Sequence, residues 1–428
     1  MRGSSVVEKS SEARQAAGFA VREHPDRAAI DAEIHARPVT PLTGPLRIRR
    51  AAFMPTGGSP ALRILQAALV DRQTGARQDA RQLDYESGGY RVTAEIHNEF
   101  ATLTWIGALD DWTPWPTDIG LDLFSDMALI AATRIDLVQG DAIAPAALAG
   151  FSPPSLCYSA LYDGQAQVAT DFVIDEDRFT RYEVAAGRCG PLRSGVVVRR
   201  LLEIETYRSL VLLGLPVARA QSGKVHTQEQ QLSTLVRDLG LGTSMQDSQR
   251  SLDQLQGLSL DVGRAIDETS FRFAATHAYA EVLHTRIDRL GEVSIAEFTT
   301  IGRYLANRVD PAVATCSALE KRLDALTAKL ERSTELVSAR ISLGIETQNQ
   351  AVLDTISKTG RSQYRLQQTV EGLSIIAISY YALALIGYII EGFAPELPIG
   401  KGPLLALAAP IVLVVVWIAI SRLRRHHD

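Results

Sequence analysis

Two uncharged apolar runs near the C-terminal end constrain this chain more than any other feature. Residues 372–390 (GLSIIAISYYALALIGYII) carry no charge and are bracketed by Glu371 and Glu391. Residues 402–421 (GPLLALAAPIVLVVVWIAIS) form a second such run, kinkable at Pro410. A bilayer core of about 30 Å needs roughly 20 apolar residues in a helix, so each run reads as a membrane span. The loop between them, residues 391–401, is too short to hold a domain, so the spans pair as an antiparallel hairpin. Lys358, Arg361 and Arg365 precede the first span, and Arg422, Arg424 and Arg425 follow the second. The loop offers only Lys401. The positive-inside rule then places both termini, including the basic tail 422–428, in the cytoplasm.

Upstream of the first span the chain reads as one long helix. Asp310-Pro311 is a start signal, an N-cap acceptor followed by proline at the first helical position. No further proline occurs before residue 392, and an unbroken helix of that length exceeds ~100 Å. Leu319, Leu323, Leu326, Leu330, Val337 and Ile341 follow at 4-3-4-7-4 spacing, a coiled-coil seam that gives copies a reason to associate. Nearer the span, Gln348, Thr355, Thr359 and Gln363 stand where that seam wants apolar residues. They mark either a polar lumen between copies or a solvated helix.

The N-terminal part reads as mixed α and β. Residues 1–22 are small, polar and without an apolar leader. Residues 23–195 form an α+β cytosolic domain: a helix ended by Pro38, a strand at 45–54, a helix at 60–74, and strands at 90–97 and 100–106 turning near Asn98. The segment 127–137 reads equally as strand or short helix. Asp163-Gly164 joins two strands, 156–162 and 165–174, through a type I′ turn, and 178–184 adds another. Residues 196–310 are helical, with breaks at Gly214 and Pro216, at Gly240 and Gly242, and at Gly291, and pack on the stalk helix 311–371.

Composition excludes several functions. The net charge of -5 and the lack of a basic stripe argue against nucleic acid. Three distant cysteines, Cys157, Cys189 and Cys316, suit a reducing compartment. No nucleophile elbow, phosphate loop or HExxH motif occurs, and no cofactor is called for, so the chain does not read as an enzyme. Gly57-Gly58 is a turn, and Glu33, His35 and His24 lack a nucleophile. Two clusters suit a divalent cation by residue type. His277, Glu281 and His284 share one helix face, and Asp171 lies near Asp175, Glu176 and Asp177. Both also read as solvated surface. Glu391, Gly392 and Glu396 lie at the outer mouth of the hairpin, where a ring of copies turns carboxylates into a cation concentrator.

The order of parts, and the run LSIIAISYYALALIGYIIEGFAPELP, resemble the CorA-type divalent-cation channels. That resemblance implies a CorA-like architecture, a homo-oligomer (a pentamer), and cation passage or sensing. The family's Gly-Met-Asn at the end of the first span is absent; Ile390, Glu391 and Gly392 stand there. The segments HP…EIHARP, ATDFVIDEDRFTRYEV, RLLEIETYR and RLQQTVEGLSIIAISYY resemble an uncharacterised family of bacterial membrane-anchored proteins, sometimes labelled egg-lysin-like, which implies no activity. The alternative to a channel is a membrane-anchored scaffold or sensor whose cytosolic domain binds a partner protein. The other partners expected are the lipid bilayer and further copies of the chain.

Overall fold

The computed structural model describes residues 23–27, 30–31, 38–56, 60–72, 81–239, 244–393 and 401–424. The expected N-terminal segment, most of the helix before Pro38 (with Glu33 and His35), Gly57-Gly58, and Glu396 lie outside them. The chain divides into two compact units. One comprises Met1–Thr234 and Gly257–Leu330, the other Leu235–Gln256 and Glu331–Asp428.

The first unit is built on a nine-stranded sheet. In chain order the strands are β1 (Leu46–Pro55), β2 (Gln82–Ser87), β3 (Tyr90–Ile96), β4 (Ala101–Ala108), β5 (Met127–Val138), β6 (Cys157–Leu161), β7 (Ala166–Ile174), β8 (Thr180–Ala185) and β9 (Val293–Ser294). They lie in the order β2-β3-β4-β1-β5-β8-β7-β6-β9. Every pairing is antiparallel except β5 with β8. Helix α1 (Pro60–Arg72) follows β1, and a single turn, α2 (Pro145–Leu148), lies between β5 and β6. The segment 127–137 is thus a strand.

Two turns fix the hairpins. Asp163 and Gly164 have φ of 56° and 80°, and the Gln165 N–H donates to the Tyr162 carbonyl at 3.2 Å, as a type I′ turn requires. Gly88 and Gly89, at φ 57° and 81°, do the same between β2 and β3.

Strand alternation sends side chains to two different environments. On one face Ile48, Ile135, Leu137, Tyr182 and Val184 pack against α3 (Pro191–Leu212) through Val197, Val198, Leu201, Leu202 and Ile204. Leu283 of α5 (Met245–Asp288), with Ile301, Leu305 and Val309 of α6 (Ile301–Phe393), completes that core. Helix α4 (Gly214–Leu239) lies between α3 and α5 in sequence. On the other face Phe53, Leu83, Val92, Leu103 and Trp105 pack against Leu62, Leu65 and Leu69 of α1.

Helix α6 corrects two expectations. It begins at Ile301 and runs through Pro311 without a break, so Asp310-Pro311 is not its start. A proline inside a helix costs about 3 kcal/mol. Here Leu305, Val309, Ala312 and Cys316, on both sides of it, are all buried on one stripe, and that packing offsets the cost. The seam Leu319, Leu323, Leu326 and Leu330 is also buried within the chain. There α6 meets α4 through Arg322–Glu229 (2.8 Å) and α5 through His277–Glu320 (2.8 Å). That seam is spent on packing within the chain.

In the second unit the Arg340 guanidinium donates to the Leu239 carbonyl at 2.6 Å, closing the end of α4. Helix α7 (Lys401–Arg424) packs on the end of α6, where a Cβ on Gly387 would stand 3.7 Å from Leu405. Among the described residues two helical stretches are long and apolar enough to cross a membrane. The apolar window in Ile301–Gly392 is 6% buried, and that in Gly402–Arg422 is 0% buried.

Candidate functional site

The sheet carries charge where an alternating strand would put apolar groups. Arg47 and Arg49 on β1 straddle Ile48 and share the face opposite α3. Register places Arg47 beside Asp136 and Asp136 beside Glu183. One pair along, Arg49, Arg134 and Arg181 stand in a row across three strands. The result is a buried charged strip between two apolar patches. The Arg47 Nε donates to Asp136 at 2.6 Å, and the Arg134 guanidinium meets Asp175 at 3.3 Å. Arg181 meets Glu183 at 3.3 Å. The Nε atoms of Arg49, Arg134 and Arg181 are buried without an acceptor.

Asp111, on the loop after β4, ties the strip together. Its carbonyl accepts from Arg47 at 2.8 Å and from Arg49 at 2.9 Å. Its carboxylate accepts from Arg49 at 3.3 Å, from the Thr113 N–H at 3.0 Å and from the Tyr90 hydroxyl at 2.7 Å. Burial alone would raise that carboxyl; the hydrogen bonds from Thr113 and Tyr90, with Arg49, outweigh burial and hold it below its ordinary range. Burial, and then the bond to Asp111, push the Tyr90 hydroxyl up, so Tyr90 acts as a donor and not a base. Trp112 covers Arg47, its ring 4.1 Å from the guanidinium carbon.

Tyr90 also walls a cleft of about 670 Å³, framed by the Ser87–Gly89 turn, the end of β4 at Ile106–Ala108 and the approach to β1 at Pro41–Leu46. The size falls in the range of small-molecule sites. A Cβ on Gly107 would stand 3.0 Å from the Tyr90 ring, so a larger residue there pushes the ring aside by a few tenths of an ångström. Glu86 and Arg91, paired across β2 and β3, supply the charge. No histidine or cysteine is among the residues that line it. By its size and lining the cleft suits a polar ligand.

The sites expected from sequence fall elsewhere. His277 and His284 do not converge: His277 bonds Glu320 and His284 bonds Asp310 at 3.0 Å, while the Glu281 carbonyl accepts from Thr285. Asp175 accepts from the Phe179 N–H at 2.8 Å, and Asp171 accepts from the N–H groups of Ser152 and Val173, so both order loops. Among the described residues no group of three His, Cys, Asp or Glu side chains is placed to hold a metal. Gln348, Thr355, Thr359 and Gln363 are exposed, and the two threonine hydroxyls bond back to their own helix. Glu391 and Gly392 are exposed at the end of α6. The strip and the cleft were missed because arginines on a strand ordinarily mark a solvent face. The one signal was Arg47-Ile48-Arg49-Arg50, three arginines in a strand whose remaining residues are apolar.

Two of the three thiols are chemically quiet. Cys157 and Cys316 are buried; burial, and then Glu292, push the Cys157 thiol up to about 12, and burial with Glu320 raises Cys316. Maleimide labelling of the folded chain at pH 7 is therefore expected to modify Cys189 and leave Cys157 and Cys316 unlabelled by peptide mass spectrometry; labelling of Cys157 would contradict the burial.

No curated protein and no solved structure matches the chain, so neither the CorA resemblance nor the egg-lysin label gains support from a comparison. The profile of one family, described as protein of unknown function (DUF3422), matches residues 22–427, and the chain belongs to that family.

Proposed function

We propose that this chain is a membrane-anchored recognition protein, not an enzyme. Its two C-terminal helical stretches hold it in the bilayer, and its α+β unit binds a polar small molecule or a partner at the cleft beside the charged strip. The observation that carries this reading is the exposure of the apolar stretches. Windows of mean hydropathy 2.1 and 2.7 are 6% and 0% buried, and a soluble protein buries such helices. Spans at 372–390 and 402–421, with both termini cytoplasmic, follow from the flanking arginines and lysines. The alternative is cation passage in the manner of CorA-type channels, with Glu391, Gly392 and Glu396 at the mouth. It needs a polar lumen between copies at Gln348, Thr355, Thr359 and Gln363, and the leucine seam that was to bring the copies together is buried inside each chain.

Liposomes containing the purified chain and a magnesium-sensitive dye separate the two readings. The anchored-recognition reading expects influx no faster than in empty liposomes. Magnesium influx that falls in Glu391→Ala would overturn it in favour of the channel.

A further inference from the structure

A second heptad seam on α6, distinct from the buried one, stands open to solvent. Between Val352 and Leu373 the positions Val352, Ile356, Thr359, Gln363, Leu366, Val370 and Leu373 follow one another at 4-3-4-3-4-3 spacing. In heptad notation Ile356, Gln363 and Val370 are a residues, and Val352, Thr359, Leu366 and Leu373 are d residues. Of the seven large apolar side chains exposed in this segment, five fall on a or d; Leu353 at e flanks them and Tyr364 lies outside. Val352, Ile356, Leu366, Val370 and Leu373 are 51–65% exposed, so none of the described residues of their own chain covers them. The register is offset from the buried seam: Val337, Ile341 and Ile345 are four apart, a stutter that moves the apolar stripe to another side of the helix.

We propose that this face is covered by the same face of a second copy, as a parallel, in-register two-stranded coiled coil. Three features choose that occupant. First, charge is kept off the contact. Asp354, Lys358, Arg361, Arg365 and Glu371 all fall at b, c or f, and the e and g positions from Leu353 to Thr369 are uncharged. A copy laid along the seam meets no like charge, whereas a charged partner finds no opposite charge there. Second, the layers suit two strands. In the layers nearest the membrane, β-branched Val370 at a with Leu366 and Leu373 at d favours a dimer, while Val352 and Thr359 fill the two earlier d layers; the polar a layer at Gln363 is of the kind that fixes register. Third, the seam runs without a break into the apolar stretch 372–390, where Leu373 is already the second residue, so two copies anchored in one membrane are held parallel. This last point rests on the anchor reading proposed above. Thr359 and Gln363 are then layers of a two-stranded seam and line no lumen.

Single cysteines introduced into the full-length chain test the seam in membranes from expressing cells, with the unmodified chain as background. Mild oxidation is expected to give a disulfide dimer in Val352→Cys and in Leu366→Cys. The yield should be at least roughly tenfold above Lys358→Cys and Arg361→Cys, because only a and d side chains face their counterparts. Same-residue linkage at both Val352→Cys and Leu366→Cys requires parallel strands in register. The product should have twice the mass of the chain, and Ile356→Asp with Val370→Asp should abolish it. Equal linkage at seam and outer positions, no linkage anywhere, a ladder beyond two copies, or an adduct with another protein would each overturn the proposal. An alkaline wash of the same membranes keeps the two readings apart. A chain released by the wash fails the anchor reading, and a retained chain without the linkage pattern fails the seam alone.

Discussion

Glu205→Ala is expected to be the most damaging single substitution in the first unit. The Glu205 side chain is 1% exposed and accepts from Thr180 at 3.0 Å, from Tyr182 at 3.1 Å and from two nitrogens of Arg208, the Nε at 3.0 Å. Burial disfavours the Arg208 cation, and the charge and hydrogen bonds of Glu205 more than offset this. Removing the carboxylate strands a buried guanidinium and two hydroxyls beneath α3. Breaking a buried pair by deleting one partner costs about 3–5 kcal/mol. For a body of this size that lowers the melting temperature of the detergent-solubilised chain by roughly 10 °C. Glu205→Gln keeps acceptors for Tyr182 and Thr180 and should lose less. A loss in Glu205→Ala below about 1 kcal/mol, the range of a surface pair, would contradict the network.

The second large effect is expected at Asp136. Its carboxylate holds Arg47, which is 3% exposed, and lies 3.7 Å from the Nε of Arg134. Asp136→Ala leaves Arg47 with the Asp111 carbonyl and should again cost about 3–5 kcal/mol. The same substitution changes the pH dependence. Burial first, and then the neighbouring Asp136 charge, raise the Glu183 carboxyl. A carboxyl raised on folding binds its proton more tightly in the folded state. Its contribution is fully present below the ordinary glutamate value and is lost as pH rises through the raised one. Without Asp136 that loss should shrink. Melting temperatures of both proteins followed from pH 4 to pH 8 check this; an unchanged pH profile in Asp136→Ala would mean that the two carboxylates do not sense each other.

Much of this was legible in the residues, for identifiable reasons. Asp163-Gly164 specified its turn because few residues tolerate two consecutive positive φ angles. The apolar stretches were legible because uncharged runs of such length are rare outside membranes. Strand β2, Gln82–Ser87, was missed: it is polar and half-exposed, and it is held by pairing with β3 rather than by its own pattern. The segment 127–137 stayed ambiguous because its buried face carries Arg134 and Asp136, whose role appears only when β1 and β8 are set beside it. The parallel β5–β8 pairing has no local signature at all. The start of α6 was misplaced because Pro311 is a local signal and the stripe that overrides it, from Leu305 to Cys316, is satisfied by distant helices. The leucine seam was read correctly as a packing face and wrongly as one between chains, since periodicity gives the stripe and not its partner. Of the site, the cleft depends on three segments far apart in sequence, and no local pattern announced it.

The central claim is that the apolar end of α6 and α7 anchor the chain in a bilayer. The most direct test is to express the full-length protein in bacteria, wash the membranes with alkaline carbonate and float them on a density gradient. The account predicts that the chain stays with the lipid and is released only by detergent. A chain that leaves with the wash, or stays at the bottom of the gradient, would mean that these helices are covered by protein and that the anchor reading is wrong.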